Sequence, residues 1–194
     1  MALFGQASAP AVAARRAVMQ VRGAARVRAA RDPAPATLRL ALGPETVHVS
    51  ARRQPYASFF AVEEYDLSWP RFGGGHGPAV TRAAFVSGDA VTVLPYDPAR
   101  DRVLLVEQFR AGPFARGDRH PWLLEAVAGR IDPGETPEDA ARREAEEEAG
   151  LRMGDLLPVA AYYSTPGAKT EFLYSFVGLS DLRDGTAGVF GLAD

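Results

Sequence analysis

Apolar and polar positions alternate in short bursts through the middle of this chain, and each burst predicts a strand. Residues 59–67 read as one, stopped by Trp69-Pro70 and the run Gly73-Gly74-Gly75-His76-Gly77. Strands over 79–86 and 90–96 follow, parted by a Gly88-Asp89 turn. A second turn at 97–101 leads into a strand over 103–109, and another is expected over 122–127. Residues 157–163 and 172–177 complete a mixed sheet. Alternation over 38–49 is weak. The glycine run lacks the spacing of a nucleotide fingerprint and is read as a flexible turn.

One helix is bounded at both ends. Thr136-Pro137 supplies an N-cap followed by a first-turn proline, and Asp139 completes a variant of the capping box. Gly150 stops the helix, with Leu151 placed to fold back onto it. The predicted helix therefore covers 137–149. Ala140, Ala141 and Ala145 give it a small-residue face suited to close approach to a sheet. Glu144, Glu147 and Glu148 share its other face, with Arg143 one turn before Glu147. Clustered carboxylates repel unless a cation lies between them, and Mg²⁺ takes a few carboxylates together with waters and substrate phosphates. Such a site neutralises a diphosphate and activates a water.

Composition narrows the rest. At 194 residues one domain is expected, with a formal net charge of −2. Without a basic excess the chain is not a general nucleic-acid binder. Cysteine is absent, which removes disulfides and thiolate metal sites and is compatible with a reducing compartment. No apolar run approaches the roughly 18 residues of a membrane helix. His48, His76 and His120 are scattered and read as surface residues. Residues 1–31 differ in kind: they carry Arg15, Arg16, Arg22, Arg26, Arg28 and Arg31 and no acid. A helix on an acidic surface and a transit peptide are weighed for them. The reading taken is a mobile Arg/Ala-rich extension over 1–36, ended by the linker Asp32-Pro33-Ala34-Pro35.

The segment from Gly129 to Leu151 resembles the Nudix box, Gly-x5-Glu-x7-Arg-Glu-U-x-Glu-Glu-x-Gly-U, through Gly129, Glu135, Arg143-Glu144, Glu147-Glu148, Gly150 and Leu151. Outside the box, Val93-Leu94-Pro95-Tyr96-Asp97, Val106-Glu107-Gln108-Phe109-Arg110, Pro121 to Gly129 and Ser164-Thr165-Pro166-Gly167 are similar to the ADP-ribose pyrophosphatase branch. The resemblance implies an α+β fold: a Nudix-type mixed β-sheet sandwich carrying the Nudix helix, over 88–194. A β-strand subdomain over 37–87, open to a swap between dimer partners, would precede it. It implies a cytoplasmic, homodimeric enzyme that hydrolyses ADP-ribose to AMP and ribose 5-phosphate with Mg²⁺, or with Mn²⁺.

By the same resemblance the Ala128 carbonyl, Glu144 and Glu148 would hold the metal, with Glu147 and Arg143 completing the catalytic set. Arg82, Arg110, Arg130 and Glu171 would bind the nucleotide-sugar substrate, Arg110 by a fork that lysine cannot copy. Phe59, Phe60 and Tyr65 are open between stacking on adenine and packing in a core. The family's water-orienting glutamate would fall beyond Asp194, and its second long helix is not found, so the chain is read as truncated. Alternatives are a nucleoside-diphosphate-sugar hydrolase, an impaired ligand-binding module of the same fold, and an inactive fragment.

Overall fold

The computed structural model describes residues 7–32, 38 and 42–190. It divides into two compact units, Met1–Asp89 with Tyr162–Phe172, and Ala90–Ala161 with Leu173–Asp194. The first unit opens with two helices, α1 (Ala9–Ala14) and α2 (Arg16–Arg31). Ser8 caps α1 by accepting the Ala11 N–H at 3.4 Å. On α2, Val21 and Ala25 stand four apart and are buried. A Cβ on Gly88 would come within 2.3 Å of Val21, so α2 packs against bare backbone there. Arg28 is tied to the buried Asp89 at 2.7 Å. Over most of its length the Arg/Ala-rich extension forms two helices, of which α2 packs through Val21 and Ala25. Arg26 and Arg28 pair with Glu63 and Asp89 in distant parts of the chain, and a local reading does not see these. Residues 33–37, most of the expected linker, lie outside the described residues, as do 39–41 in the weakly alternating stretch.

Three antiparallel strands, β1 (His48–Ala57), β2 (Ala61–Ser68) and β3 (Val80–Val86), form the sheet of this unit. β2 and β3 fall where alternation predicts them, and β1 has no such pattern. It is an edge strand with little buried surface, held by cross-strand ion pairs from Arg52 to Glu63 and from Arg53 to Asp66. Pro55 cannot donate to the ladder, and the register slips between Arg53 and Tyr56. The expected glycine turn is present, with Gly74 and Gly75 at φ of 92° and 70°.

The second unit is built on β4 (Ala90–Asp97). It runs parallel to β10 (Phe172–Leu179) and antiparallel to β8 (Val127–Arg130) and to the short β5 (Arg102–Val103). β9 (Leu156–Tyr163) extends the sheet beyond β10. Two predicted strands are each split. Over 103–109, Leu104 donates its N–H to the Pro95 carbonyl at 3.1 Å, and pairing passes from β5 to β6 (Val106–Phe109). Over 122–127, the chain leaves β7 (Trp122–Glu125) at Ala126 and enters β8. β6 and β7 form a separate hairpin around α3 (Ala111–Arg116), which Gly117 ends at φ 86°.

The helix α4 (Pro137–Ala149) has the predicted bounds. Thr136 and Asp139 form a capping box, each bonding the other's backbone N–H at 3.1 and 3.3 Å. Gly150 adopts φ 62°, and Leu151 donates back to the Ala145 carbonyl at 3.0 Å. Ala140, Ala141, Ala145 and Ala149 are buried with Val91, Val93, Val127, Ile131 and Phe176 in one core. Small side chains on α4 let its backbone lie close to β4 and β8, and so bring its polar face beside the β8 strand. No helix follows β10 among the described residues, and Leu157 and Val159 on β9 are exposed. No helix of the described residues is long and apolar enough to cross a membrane.

Asp97 closes this unit at the end of β4. It accepts the backbone N–H of Ala99, Arg100 and Leu182 and pairs with Arg100 at 2.7 Å. Burial alone would raise its carboxyl, but the Arg100 side chain and these N–H groups outweigh it and hold it at about 2, against an ordinary 3.8. A depressed carboxyl stabilises the fold above its ordinary value and loses that contribution as pH falls through about 2. Asp97→Asn should therefore lower the thermal midpoint at pH 7, with the gap from the parent closing towards pH 2 in calorimetric scans. A gap that stays constant with pH would contradict this account.

Candidate active site

The turn from β8 into α4 is where the chain concentrates its charge. Gly134, at φ 94°, bends the loop so that Glu135 accepts the Asp132 N–H at 2.9 Å. Arg143 then reaches back across this loop from the second turn of α4. A guanidinium has five N–H donors, and here each has an acceptor. Its Nε and Nη2 grip both oxygens of Glu135 at 2.8 and 3.0 Å. Nη1 donates to Glu144 at 2.8 Å and to Glu147 at 3.2 Å. Nη2 also donates to the Arg130 carbonyl at 2.9 Å. Loop, helix and strand β8 are thereby joined through one side chain.

Arg143 pairs with Glu147 at the one-turn spacing the sequence suggests, yet its two-pronged partner is Glu135, eight residues earlier in the loop. That contact crosses a turn and has no helical spacing to betray it. Glu144 and Glu148 lie instead on the β8 backbone. Glu148 accepts the Ala128 N–H at 3.2 Å. A Cβ on Gly129 would sit 1.9 Å from the Glu144 carboxylate, so only glycine leaves room for that group.

The electrostatics divide the acids into two kinds. Glu135 is held below the usual range, first by its hydrogen bonds from Arg143. Glu144 and Glu148 are pushed up, in each case first by burial. Arg143 opposes this for Glu144, while Glu147 and Glu135 add to it. For Glu148 the Ala128 N–H opposes and Glu144 adds. Two half-buried carboxylates that repel each other over a strand backbone constitute a site short of positive charge. Their oxygens, with the Ala128 carbonyl, are the hard donors that a divalent cation takes. The fit involves the two carboxylates Glu144 and Glu148, with Glu147 standing apart from them. Glu147, 37% exposed against 12% for Glu144, bonds to Arg143, and no group of three acids or histidines among the described residues converges at metal-binding distances.

The remaining predicted residues are distributed over both units. Arg130 lies at the end of β8, its guanidinium lowered first by burial, with Asp132 and Glu144 opposing. Arg110 follows β6 and donates Nε and Nη2 to Glu125 at 2.8 and 2.5 Å. Both groups influence Glu148, which places this hairpin beside the α4 carboxylates. Glu125 is a site neighbour that sequence reasoning missed, because its partner lies across a hairpin. Arg82 and Glu171 belong to the first unit. Arg82 is exposed on β3 with its guanidinium 5.8 Å from the Trp69 ring centre. Glu171 pairs with Lys169 at 2.9 Å and accepts from Ser87 at 3.5 Å. Of the aromatic candidates, Phe60 packs on Phe85 at 4.7 Å and Tyr65 donates to Glu63, which leaves Phe59 as the exposed ring.

Comparison with known proteins gives a consistent set of likenesses. The model of the NUDIX domain matches residues 86–188. An ADP-ribose pyrophosphatase of Escherichia coli is 40% identical over 160 residues, which cover 82% of this chain and 76% of the relative. That of Haemophilus influenzae is 36% identical over 152 residues, 77% of this chain and 70% of the relative. A GDP-mannose pyrophosphatase of Pectobacterium atrosepticum is 35% identical over 132 residues, 67% of each. A solved structure of an ADP compounds hydrolase superposes with a TM-score of 0.56 over 77% of this chain and 72% of its own, at 21% identity, and so supports the fold alone.

Two substitutions test the site without touching the carboxylates. Gly129→Ala displaces Glu144, and Arg143→Lys removes the fork that holds Glu135. Each should weaken Mn²⁺ binding by about 10- to 100-fold, the usual effect of losing a supporting contact around a metal, with the far-ultraviolet circular dichroism unchanged. Parent-like Mn²⁺ affinity in both variants would remove the supporting role assigned to these two residues.

Proposed function

This chain belongs to the NUDIX domain family, and on that premise we propose that it hydrolyses the diphosphate of ADP-ribose to AMP and ribose 5-phosphate. The observation that carries the reading is the pair of half-buried carboxylates, Glu144 and Glu148, resting on the backbone of Ala128 and Gly129. A divalent cation, Mg²⁺ or Mn²⁺, held by these carboxylates and the Ala128 carbonyl would neutralise the diphosphate and lower the pKa of an attacking water.

The protein's own groups supply position. Arg143 fixes Glu144 relative to the loop through Glu135. Arg110, aligned by Glu125, offers its remaining Nη1 edge to a phosphate oxygen. Arg130 adds a second cation at the end of β8, where burial strengthens its attraction for the same phosphates. Glu147 stays in reserve on Arg143 and would balance that guanidinium if Glu144 turned away from it. In the first unit, Arg82 and Glu171 are assigned to the substrate on the strength of the resemblance. A homodimer is the assembly we infer. The exposed Phe109, Phe114, Trp122 and Leu124 of the β6–β7 hairpin support it, as a clustered apolar surface of the kind that partners cover.

A second reading, hydrolysis of a nucleoside-diphosphate sugar, is favoured by the likeness to GDP-mannose pyrophosphatase. The full chain should be incubated with Mg²⁺ and either ADP-ribose or GDP-mannose, with phosphate measured after phosphatase treatment. ADP-ribose should be turned over with the higher kcat/KM, and Glu144→Gln or Glu148→Gln should each lower it by at least about 10²-fold. Preference for GDP-mannose would transfer the assignment to the second reading. Turnover that survives both substitutions would end the assignment of these carboxylates.

A further inference from the structure

The arginine-rich α2 and the edge strand β1 enclose a cavity of about 370 Å³ that shares no residue with the α4 carboxylate site. Five arginines line it. Arg15, Arg22 and Arg26 come from the helical segment, and Arg52 and Arg53 from β1. Glu63, buried on β2, is the one carboxylate among its lining residues. Arg52 takes both oxygens of Glu63, at 2.7 and 2.8 Å, and Arg26 stands 3.6 Å from it. Arg53 turns to Asp66 and Glu64. No acid occurs anywhere from residue 7 to 31 to balance the helical arginines. One carboxylate therefore faces several guanidinium groups in a concave space, which Met19 of α2 and Val86 of β3 line with apolar surface.

We propose that this cavity binds a phosphorylated small molecule of about mononucleotide size, its phosphate on Arg15, Arg22 and Arg26 and its ring or sugar against Met19 and Val86. The volume lies at the small end of the roughly 300–1,000 Å³ typical of ligand pockets. Guanidinium groups are the side chains best matched to phosphate oxygens. Glu63 has a part in the design. Fully bonded by Arg52, Gln54 and Tyr65, it pins β1 to β2 and fixes the floor of the cavity. The concave form favours a small ligand over a nucleic-acid surface, which would follow an open basic stripe.

The probe is AMP, titrated calorimetrically into the full chain without divalent metal, with adenosine and inorganic phosphate alongside. Saturable AMP binding is expected, with adenosine at least about tenfold weaker because it lacks the charge-assisted contacts. Arg26→Glu, at a mostly exposed rim position, should weaken AMP by at least about tenfold, as should the Arg15→Ala, Arg22→Ala double variant. Arg110→Ala should leave the Arg26-dependent share of AMP binding in place. Should the double variant fail to fold, Arg26→Glu decides the matter alone. Absence of saturable AMP binding would overturn the proposal, as would parent-like affinity in Arg26→Glu. AMP binding abolished by Arg110→Ala and kept by Arg26→Glu would instead place AMP at the α4 site and equally overturn it. So would binding of a single-stranded oligonucleotide with none of AMP.

Discussion

The guanidinium of Arg143 is the constraint on which the site depends. Carboxylates on one helical stripe repel each other, and long glutamate side chains disperse into water unless something holds them. Arg143 spends all five donors inside the protein, on Glu135, Glu144, Glu147 and the Arg130 carbonyl. Its own charge is stabilised well above the ordinary arginine value, first by Glu135 and despite burial. One side chain thus locks the loop to the helix and the helix to the strand. An exposed salt bridge contributes ~0–1 kcal/mol. A half-buried fork with several charge-assisted bonds is a stronger fastening, ~1.5–3 kcal/mol for each such bond that a substitution removes.

What that fastening permits is close approach. The alanine face of α4 brings the helix down onto β4 and β8, and Gly129 gives up its side chain where Glu144 needs the space. Glu144 and Glu148 are then held where burial raises both carboxyls, with Glu147 and Glu135 adding to it for Glu144 and Glu144 adding to it for Glu148. The fold keeps this unfavourable pair because its helix is capped at both ends and anchored by an alanine-packed core. A divalent cation held there, as proposed, would relieve the repulsion and in turn offset the negative charge of a diphosphate.

Legibility in the sequence followed the range of each interaction. The bounds of α4 could be read to the residue, since caps, proline and glycine act within a few positions. Strands β2, β3 and β4 showed in alternation because one face of each is more buried than the other. β1 was invisible, being an exposed edge strand whose partners, Glu63 and Asp66, lie on another strand. The anchoring of α2 was hidden for the same reason, since Asp89 is far from Arg28 in the chain. The candidate site divides likewise. The helix stripe of Glu144, Glu147 and Glu148 was evident, while Glu135 as the grip of Arg143 and Glu125 as the partner of Arg110 emerged only when the loop and hairpin were folded.

The most direct test of this account is a crystal structure of the full chain with Mn²⁺ and a methylene-bridged ADP-ribose analogue, using the anomalous signal of the metal. The account predicts a manganese peak bonded to Glu144 and Glu148 beside the Ala128 carbonyl, with Arg143 still gripping Glu135. A peak bonded to neither carboxylate, or an Arg143 released from Glu135 in the loaded site, would contradict it.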